Sequence, residues 1–173
     1  LLAPAKVNLC LRVYGKTDSG LHNLDSIVVF CEFGDKISIR SADHDSFCWR
    51  GPFAPSLIDS GNRENLIITA RDAFRGSGGL CGPVAIHLDK EIPVGAGLGG
   101  GSADAAATLR ALNKLATTPL SKNQLFAIAG RLGSDVPVCL AATPHRIKGT
   151  GDVIHPLNKI HAGALVLVNP LVP

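Results

Sequence analysis

Charge is scarce in this chain: 18% of its 173 residues are charged, while 46% are hydrophobic. That balance excludes a disordered chain, which lacks the apolar content to offset its ordering entropy. Glutamate is rarer still, at three against eleven aspartates. Asp favours caps, turns and sites over helix interiors. Long apolar runs are also missing. Ala164-Leu165-Val166-Leu167-Val168 is far short of the ~20 residues a membrane helix needs, and no membrane partner is expected. Lys6 and Asn8 interrupt the apolar start, which does not read as a signal peptide. The chain begins Leu1-Leu2, not Met, and residues ahead of Leu1 are expected. No Lys/Arg cluster marks a nucleic-acid surface; the net charge of +3 suits a small anionic ligand. The five cysteines, at 10, 31, 48, 81 and 139, form no Cys-x-x-Cys and no zinc-finger spacing. Reduced thiols in the core of a cytoplasmic protein are expected.

The length fits one domain or slightly more, enough to hide roughly 70% of the unfolded surface. Val7, Leu9, Leu11 and Val13 alternate with Lys6, Asn8, Cys10 and Arg12, predicting a half-buried strand with Lys6 and Asn8 on one face. A turn at 15–20, a buried strand at 25–32 and a strand at 35–41 follow. The Pro-containing stretch 42–61 reads as an excursion with a short strand at 46–50. Asn62 is placed to cap a helix from Leu66 to Arg75, ended by Gly76-Ser77-Gly78-Gly79. After a strand at 84–88, an Ala-rich helix is expected over Ala103–Ala116. Ser121 and Gln124 form a capping box for a second helix stopping at Gly133. Ser134-Asp135-Val136-Pro137 reads as a further helix start or turn, and strands near 145–148 and 164–168 close the chain. The fold class is α+β with a mostly antiparallel sheet.

Five of the seven residues from Gly95 to Gly101 are glycine, immediately before a helix. Each Gly costs roughly 0.5–1 kcal/mol in a regular element, so the run needs a physical reason. A backbone that approaches a ligand closely, with free N–H groups and a helix N-terminus behind them, makes an anion site. It is not a Walker A loop, because Gly101 runs into Ser102 with no Lys. Gly95, Gly97 and Gly100 satisfy G-x-G-x-x-G, but no acid lies between Asp104 and Asp135 to complete a dinucleotide site. Taken singly, Lys6, His22, Asp135 and Asp152 each have an ordinary structural role: an exposed strand Lys, a loop His, a helix cap and a turn acid.

In combination they say more. Pro4-Ala5-Lys6-Val7-Asn8-Leu9, Gly20-Leu21-His22-Asn23-Leu24, Pro93-Val-Gly-Ala-Gly-Leu-Gly-Gly-Gly-Ser-Ala-Asp-Ala-Ala106 and Leu132-Gly133-Ser134-Asp135-Val136-Pro137-Val138 occur in order. This pattern resembles the GHMP kinase superfamily, and within it the branch that phosphorylates the 2-hydroxyl of a methylerythritol carrying a CDP group, on the route to isoprenoids. The resemblance implies the GHMP N-terminal domain, a mixed, mostly antiparallel sheet packed with helices and containing a ribosomal-protein-like left-handed β-α-β unit. It implies ATP and Mg²⁺, with Asp135 as base and Lys6 as its charged neighbour. Pro93, Gly95, Gly97, Gly99, Gly100, Gly101 and Ser102 would cradle the phosphates, with Ser102 also toward the metal. Asn65 and Leu66 would lie near the adenine and Lys90 beside the loop; Asn8 and His22 would contact the cytidyl diphosphate substrate.

Two other readings stay open: a sister kinase of the homoserine or mevalonate type, and a domain that binds nucleotide without turnover. Leu21 stands where the family commonly has a Tyr that stacks on cytosine, and residues 169–173 match the family's Pro-Gly-Val stretch only partly. The family's third glycine motif has no copy here. The chain is therefore expected to be the N-terminal ATP-binding domain, 1–173, with about 160–173 leading into a C-terminal domain. A cytoplasmic bacterial protein, monomeric or homodimeric, is expected.

Overall fold

The computed structural model describes residues 1–16, 20, 22–59, 65–151, 153–158, 160 and 163–170. In chain order the elements are β1 (Leu2–Lys16), β2 (His22–Ser41), β3 (Ser46–Arg50), α1 (Ser56–Asp59), α2 (Leu66–Gly76), β4 (Val84–Asp89), α3 (Gly100–Leu115), α4 (Lys122–Leu132), α5 (Val136–Ala141), β5 (His145–Gly149) and β6 (Val153–Pro156). Among the described residues one sheet runs β3-β4-β2-β5-β6, with β1 also paired to β2. Every pairing is antiparallel except β3 with β4, which is parallel and joined through α2. A parallel pair needs such a crossover, because a tight turn cannot reverse the chain twice.

The long strand β2 organises the sheet. Residues 24–28 pair with β5 and residues 36–41 with β4, while β1 lies along it. The strands expected at 25–32 and 35–41 are thus one element. Gly34 lets β1 lie close against this strand: a Cβ there would meet the Ala3 carbonyl oxygen at 2.2 Å. The sheet's inner face, with Val28, Ile37, Ile86 and Leu88, packs against α3, whose Ala103, Ala105, Ala106, Ala107, Leu109 and Leu112 are all buried. So many alanines let the helix lie close to its neighbours on several sides. Phe74 of α2 is buried in the same core, its ring filling the space above Gly79.

Several expectations need correcting. The helix α2 is capped by Asn65, whose side chain accepts from the Ile67 N–H at 2.9 Å; Asn62 lies outside the described residues. The helix α3 begins at Gly100, so the last glycines form its first turn. The apolar face of β1 is buried only near its start: Leu9, Leu11 and Val13 are about half exposed, whereas Lys6 is buried. Alternation tells which side chains share a face, not whether anything covers it. Residues 163–170 carry no regular secondary structure, and Val166 and Val168 are exposed. A continuous apolar run reads as a strand only if a sheet edge receives it. Strand β6 was missed because His155 and Pro156 suppress the strand signal in so short a segment. Cys10 and Cys48 are exposed and Cys139 buried, so the cysteines are not uniformly core residues. The capping box is present as expected, Ser121 N–H donating to Gln124 Oε1 at 3.0 Å.

Phe74→Ala should cost about 3–5 kcal/mol, as for other fully buried aromatics. Urea unfolding measures it; a loss under ~1 kcal/mol would mean that α2 does not anchor the core.

Candidate active site

The glycine-rich stretch forms the rim of a cleft of about 340 Å³, lined by Asn65, Leu66, Lys90, Pro93, Asp104 and the whole run Gly95–Ser102, among others. Gly95, Gly97 and Gly99 have φ of 77°, 72° and 64°, while Ala96 and Leu98 between them do not enter the positive region. Glycine at every second position is therefore a conformational requirement. Left-handed glycines with no side chains leave the loop's N–H groups open to a closely approaching anion. Gly99 is the N-cap of α3 and supplies no side-chain cap. The first N–H groups of α3 add the partial positive charge of a helix N-terminus beside the loop.

Beneath the loop lies a buried ionic cluster. Lys90 Nζ donates to Asp35 Oδ2 at 2.5 Å and to Asp104 Oδ2 at 2.9 Å. The other oxygen of Asp35 accepts from the Glu91 and Ile92 N–H groups at 2.6 and 2.8 Å. All three side chains are at most 5% exposed. Burial pulls the Lys90 ammonium down, but the two carboxylates outweigh it and the net direction is up. Burial pushes the Asp104 carboxyl up to about 7, against the pull of Lys90. The direction has a simple cause: two carboxylates facing one ammonium leave a net buried charge, which a proton on Asp104 removes. Asp104 Oδ1 is buried with no hydrogen-bond partner among the described residues.

The second cluster begins at Lys6. Its backbone N–H donates to the Leu98 carbonyl at 2.8 Å, tying β1 to the glycine loop. A Cβ on Gly99 would sit 3.1 Å from Lys6 Cε, so the side chain runs directly under the loop. Its ammonium lies 3.3 Å from Asp135 Oδ2 and donates to Asn8 Oδ1 at 2.9 Å. Asn8 Nδ2 in turn donates to Ser26 Oγ, which donates to the Cys10 carbonyl. Lys6 is thus a buried residue with two polar partners rather than a solvent-facing strand Lys. Asp135 stands at the start of α5 but its carboxylate makes no cap hydrogen bond; it is 42% exposed and turned to Lys6. The capping role that its position suggested is not the one it takes.

Residues 65–143 match the family profile described as GHMP kinases N terminal domain. The fold is the GHMP kinase N-terminal domain. Curated relatives named 4-diphosphocytidyl-2-C-methyl-D-erythritol kinase from Brucella abortus biovar 1 (strain 9-941) and Rhizobium meliloti (strain 1021) are 49% and 45% identical over 97% and 98% of the chain. A crystal structure of 4-(cytidine 5'-diphospho)-2C-methyl-D-erythritol kinase superposes with a TM-score of 0.74 at 37% identity, covering 91% of this chain and 54% of the other. The chain spans 57–58% of the length of these curated relatives.

Within this fold, Asn65, Leu66, Lys90, Pro93, Gly95, Gly97, Gly99, Gly100, Gly101 and Ser102 come together in one cleft. Lys6, Asn8 and Asp135 form a chain of polar contacts that meets the loop at Leu98 and Gly99, and none of the three lines the cleft itself. The ammonium of Lys90 is held under the loop by Asp35 and Asp104, 3.2 Å from where a Gly100 Cβ would be. His22 is not part of this assembly. It opens β2 opposite Lys16, six residues from Val28, the partner of Asn8, a span of about 20 Å along the strand. Leu21 and Asp152 lie outside the described residues. Asp104 was expected close to the phosphates beside Ser102, whereas Asp35 was not singled out by sequence reasoning. Asp35 had no local signal at all, since its partner is 55 residues away.

The raised Asp104 carboxyl gives a pH prediction. The folded chain keeps its proton between about pH 4 and 7, where an unfolded Asp has released it, so this residue makes stability fall as pH rises through that window. Asp104→Asn should therefore gain on the parent protein between about pH 5 and pH 7.5 in urea unfolding. A difference that stays constant with pH would refute the assignment.

Proposed function

We propose that this domain binds ATP through the glycine loop and carries the Lys6–Asp135 pair that phosphorylates the 2-hydroxyl of 4-diphosphocytidyl-2-C-methyl-D-erythritol. The substrate assignment rests on the names of the relatives that match across nearly the whole chain. The observation that carries the chemistry is Lys6, bonded through its backbone to the loop and through its ammonium to Asp135.

Phosphoryl transfer depends on positioning and charge stabilisation more than on covalent chemistry. The loop's N–H groups hold the ATP phosphates. Asp135, the exposed member of the pair, accepts the proton of the attacking hydroxyl. Lys6 fixes the carboxylate and stabilises charge on the attacking oxygen and the transferred group. Asn8 holds the Lys6 ammonium in register. Asn65 and Leu66, at the start of α2, border the base end of the cleft. His22 would contact the cytidyl group.

Mg²⁺ would arrive with the nucleotide and neutralise its phosphates. Among the described residues no group of three His, Cys, Asp or Glu side chains is built to hold a metal. That fits an ion held mainly by phosphate oxygens and water, with the Ser102 hydroxyl as the protein donor.

Asp135→Ala and Lys6→Ala should lower kcat about 10²–10⁴-fold and about 10²–10³-fold. The double variant should lose less than the product, because both act on one step. ATP affinity should barely change. Steady-state kinetics with calorimetry decides; full activity in either single variant removes it from the mechanism. Gly99→Val should abolish ATP binding with the circular dichroism retained, since the left-handed backbone is strained by Val and the side chain meets Lys6. Normal ATP affinity in that variant would reduce the loop to a linker.

A further inference from the structure

The outer face of the sheet carries a second, separate arrangement of reactive groups. On β3, Phe47 and Trp49 pack toward the core, so Cys48 and Arg50 point outward. The parallel register sets Cys48 opposite His87 and Arg50 opposite Asp89. Cys48 Sγ lies 2.9 Å from His87 Nδ1. His87 Nε2 lies 3.3 Å from Asp89 Oδ1, and Asp89 is gripped by the Arg50 guanidinium through both carboxylate oxygens.

The carboxylate beside Nε2 favours one tautomer. Asp89 accepts from Nε2–H, which leaves the Nδ1 lone pair facing the thiol. The Arg50 guanidinium beside Asp89 holds that carboxyl below its usual range, so it stays an acceptor. A nucleophile, a base and an acid that orients the base are thus in line, the arrangement by which proteins activate a thiol. Cys48 is exposed, and β3 is the outermost strand on its side of the sheet, so a reactant can reach it.

The neighbouring strand sets the charge of the face. Lys36 pairs with Asp89, Ser38 with His87 and Arg40 with Ala85, so these side chains share the outward face with the cluster. Arg50, Lys36 and Arg40 against Asp89 make it locally cationic. Asp89 is occupied by Arg50, and among the described residues no three-ligand metal group includes this cluster.

We propose that Cys48 is a thiol-modification site that forms mixed disulfides with anionic low-molecular-weight disulfides. The Cys48 sulfur attacks one sulfur of the disulfide RSSR, and His87 Nδ1 takes the thiol proton. A Cys48–S–S–R bond forms as the R–S–S–R bond breaks. The released RS⁻ takes the proton back from His87, leaving RSH. Cys48 is oxidised, the departing thiol is the reduced product, and the co-reactant supplies both electron acceptor and leaving group. His87 touches the reacting sulfur; Asp89 is a positioning residue.

The molecule contains its own controls. Cys10 is also exposed but has no such assembly in the described structure, and burial pushes the Cys139 thiol up to about 12. The test is to treat the purified protein with oxidised glutathione at neutral pH and follow each cysteine by peptide mass spectrometry. Cys48 should react at least about tenfold faster than Cys10. Replacing oxidised glutathione with the cationic disulfide cystamine should shrink that preference. His87→Gln should bring Cys48 down to the Cys10 rate, and added imidazole should restore it without affecting Cys10. Asp89→Asn should give an intermediate rate. Equal rates at Cys48 and Cys10 in the unaltered protein, or an unchanged Cys48 rate in His87→Gln, would overturn the proposal.

Discussion

Two carboxylates converging on one buried ammonium hold the working end of this domain together. Lys90 directly follows β4, Asp35 belongs to β2 and Asp104 to α3, and Asp35 also fixes the backbone at Glu91 and Ile92. Both ends of the glycine loop are thereby pinned to the sheet. A buried ion cluster is a poor source of net stability, but removing one partner is expensive, often 3–5 kcal/mol, because a charge is left alone. Its value here is geometric. The loop's glycines have lost the conformational restraint of side chains, and the cluster beneath supplies restraint from outside. Gly100 has no Cβ because Lys90 and Ile92 occupy the space.

The same logic connects the loop to the proposed chemistry. Gly99 needs its left-handed conformation to start α3, and its bare Cα lets the Lys6 side chain pass beneath. Lys6 then reaches Asp135, presented by a separate helix whose capping geometry does not use the carboxylate. Strand, loop and helix therefore meet at one polar pair. The groups proposed to hold phosphate and the groups proposed to move a proton are part of one hydrogen-bonded framework.

Much of this was legible in the residues. The glycine run announced a backbone that needs left-handed positions, and Ser121 with Gln124 announced a capped helix. Lys6 and Asp135 were invisible one at a time: a strand Lys and a pre-proline Asp have commoner roles, and only the resemblance across several motifs joined them. What sequence could not supply was long-range pairing. Asp35 meets Lys90 across 55 positions with no local pattern to mark it. Period-two alternation put Lys6 and Asn8 on one face, as their hydrogen bond shows, but register shifts between Pro4 and Lys6, Asn8 and Cys10, and Val13 and Gly15 break the strict alternation. Burial also depends on what covers a face, which is why Leu9 and Leu11 are exposed and Lys6 is not. The apolar stretch 164–168 fails as a strand for a related reason, since composition reports an appetite for burial and not the presence of an edge.

The central claim is that the backbone of the glycine loop itself is the phosphate site. Hydrogen–deuterium exchange with and without Mg²⁺–ATP tests it most directly, because backbone amides that bond phosphate oxygens exchange more slowly. The account predicts strong new protection in peptides covering residues 93–103, with weaker protection at the start of α2. Binding that left those amides unprotected while slowing exchange elsewhere would contradict it.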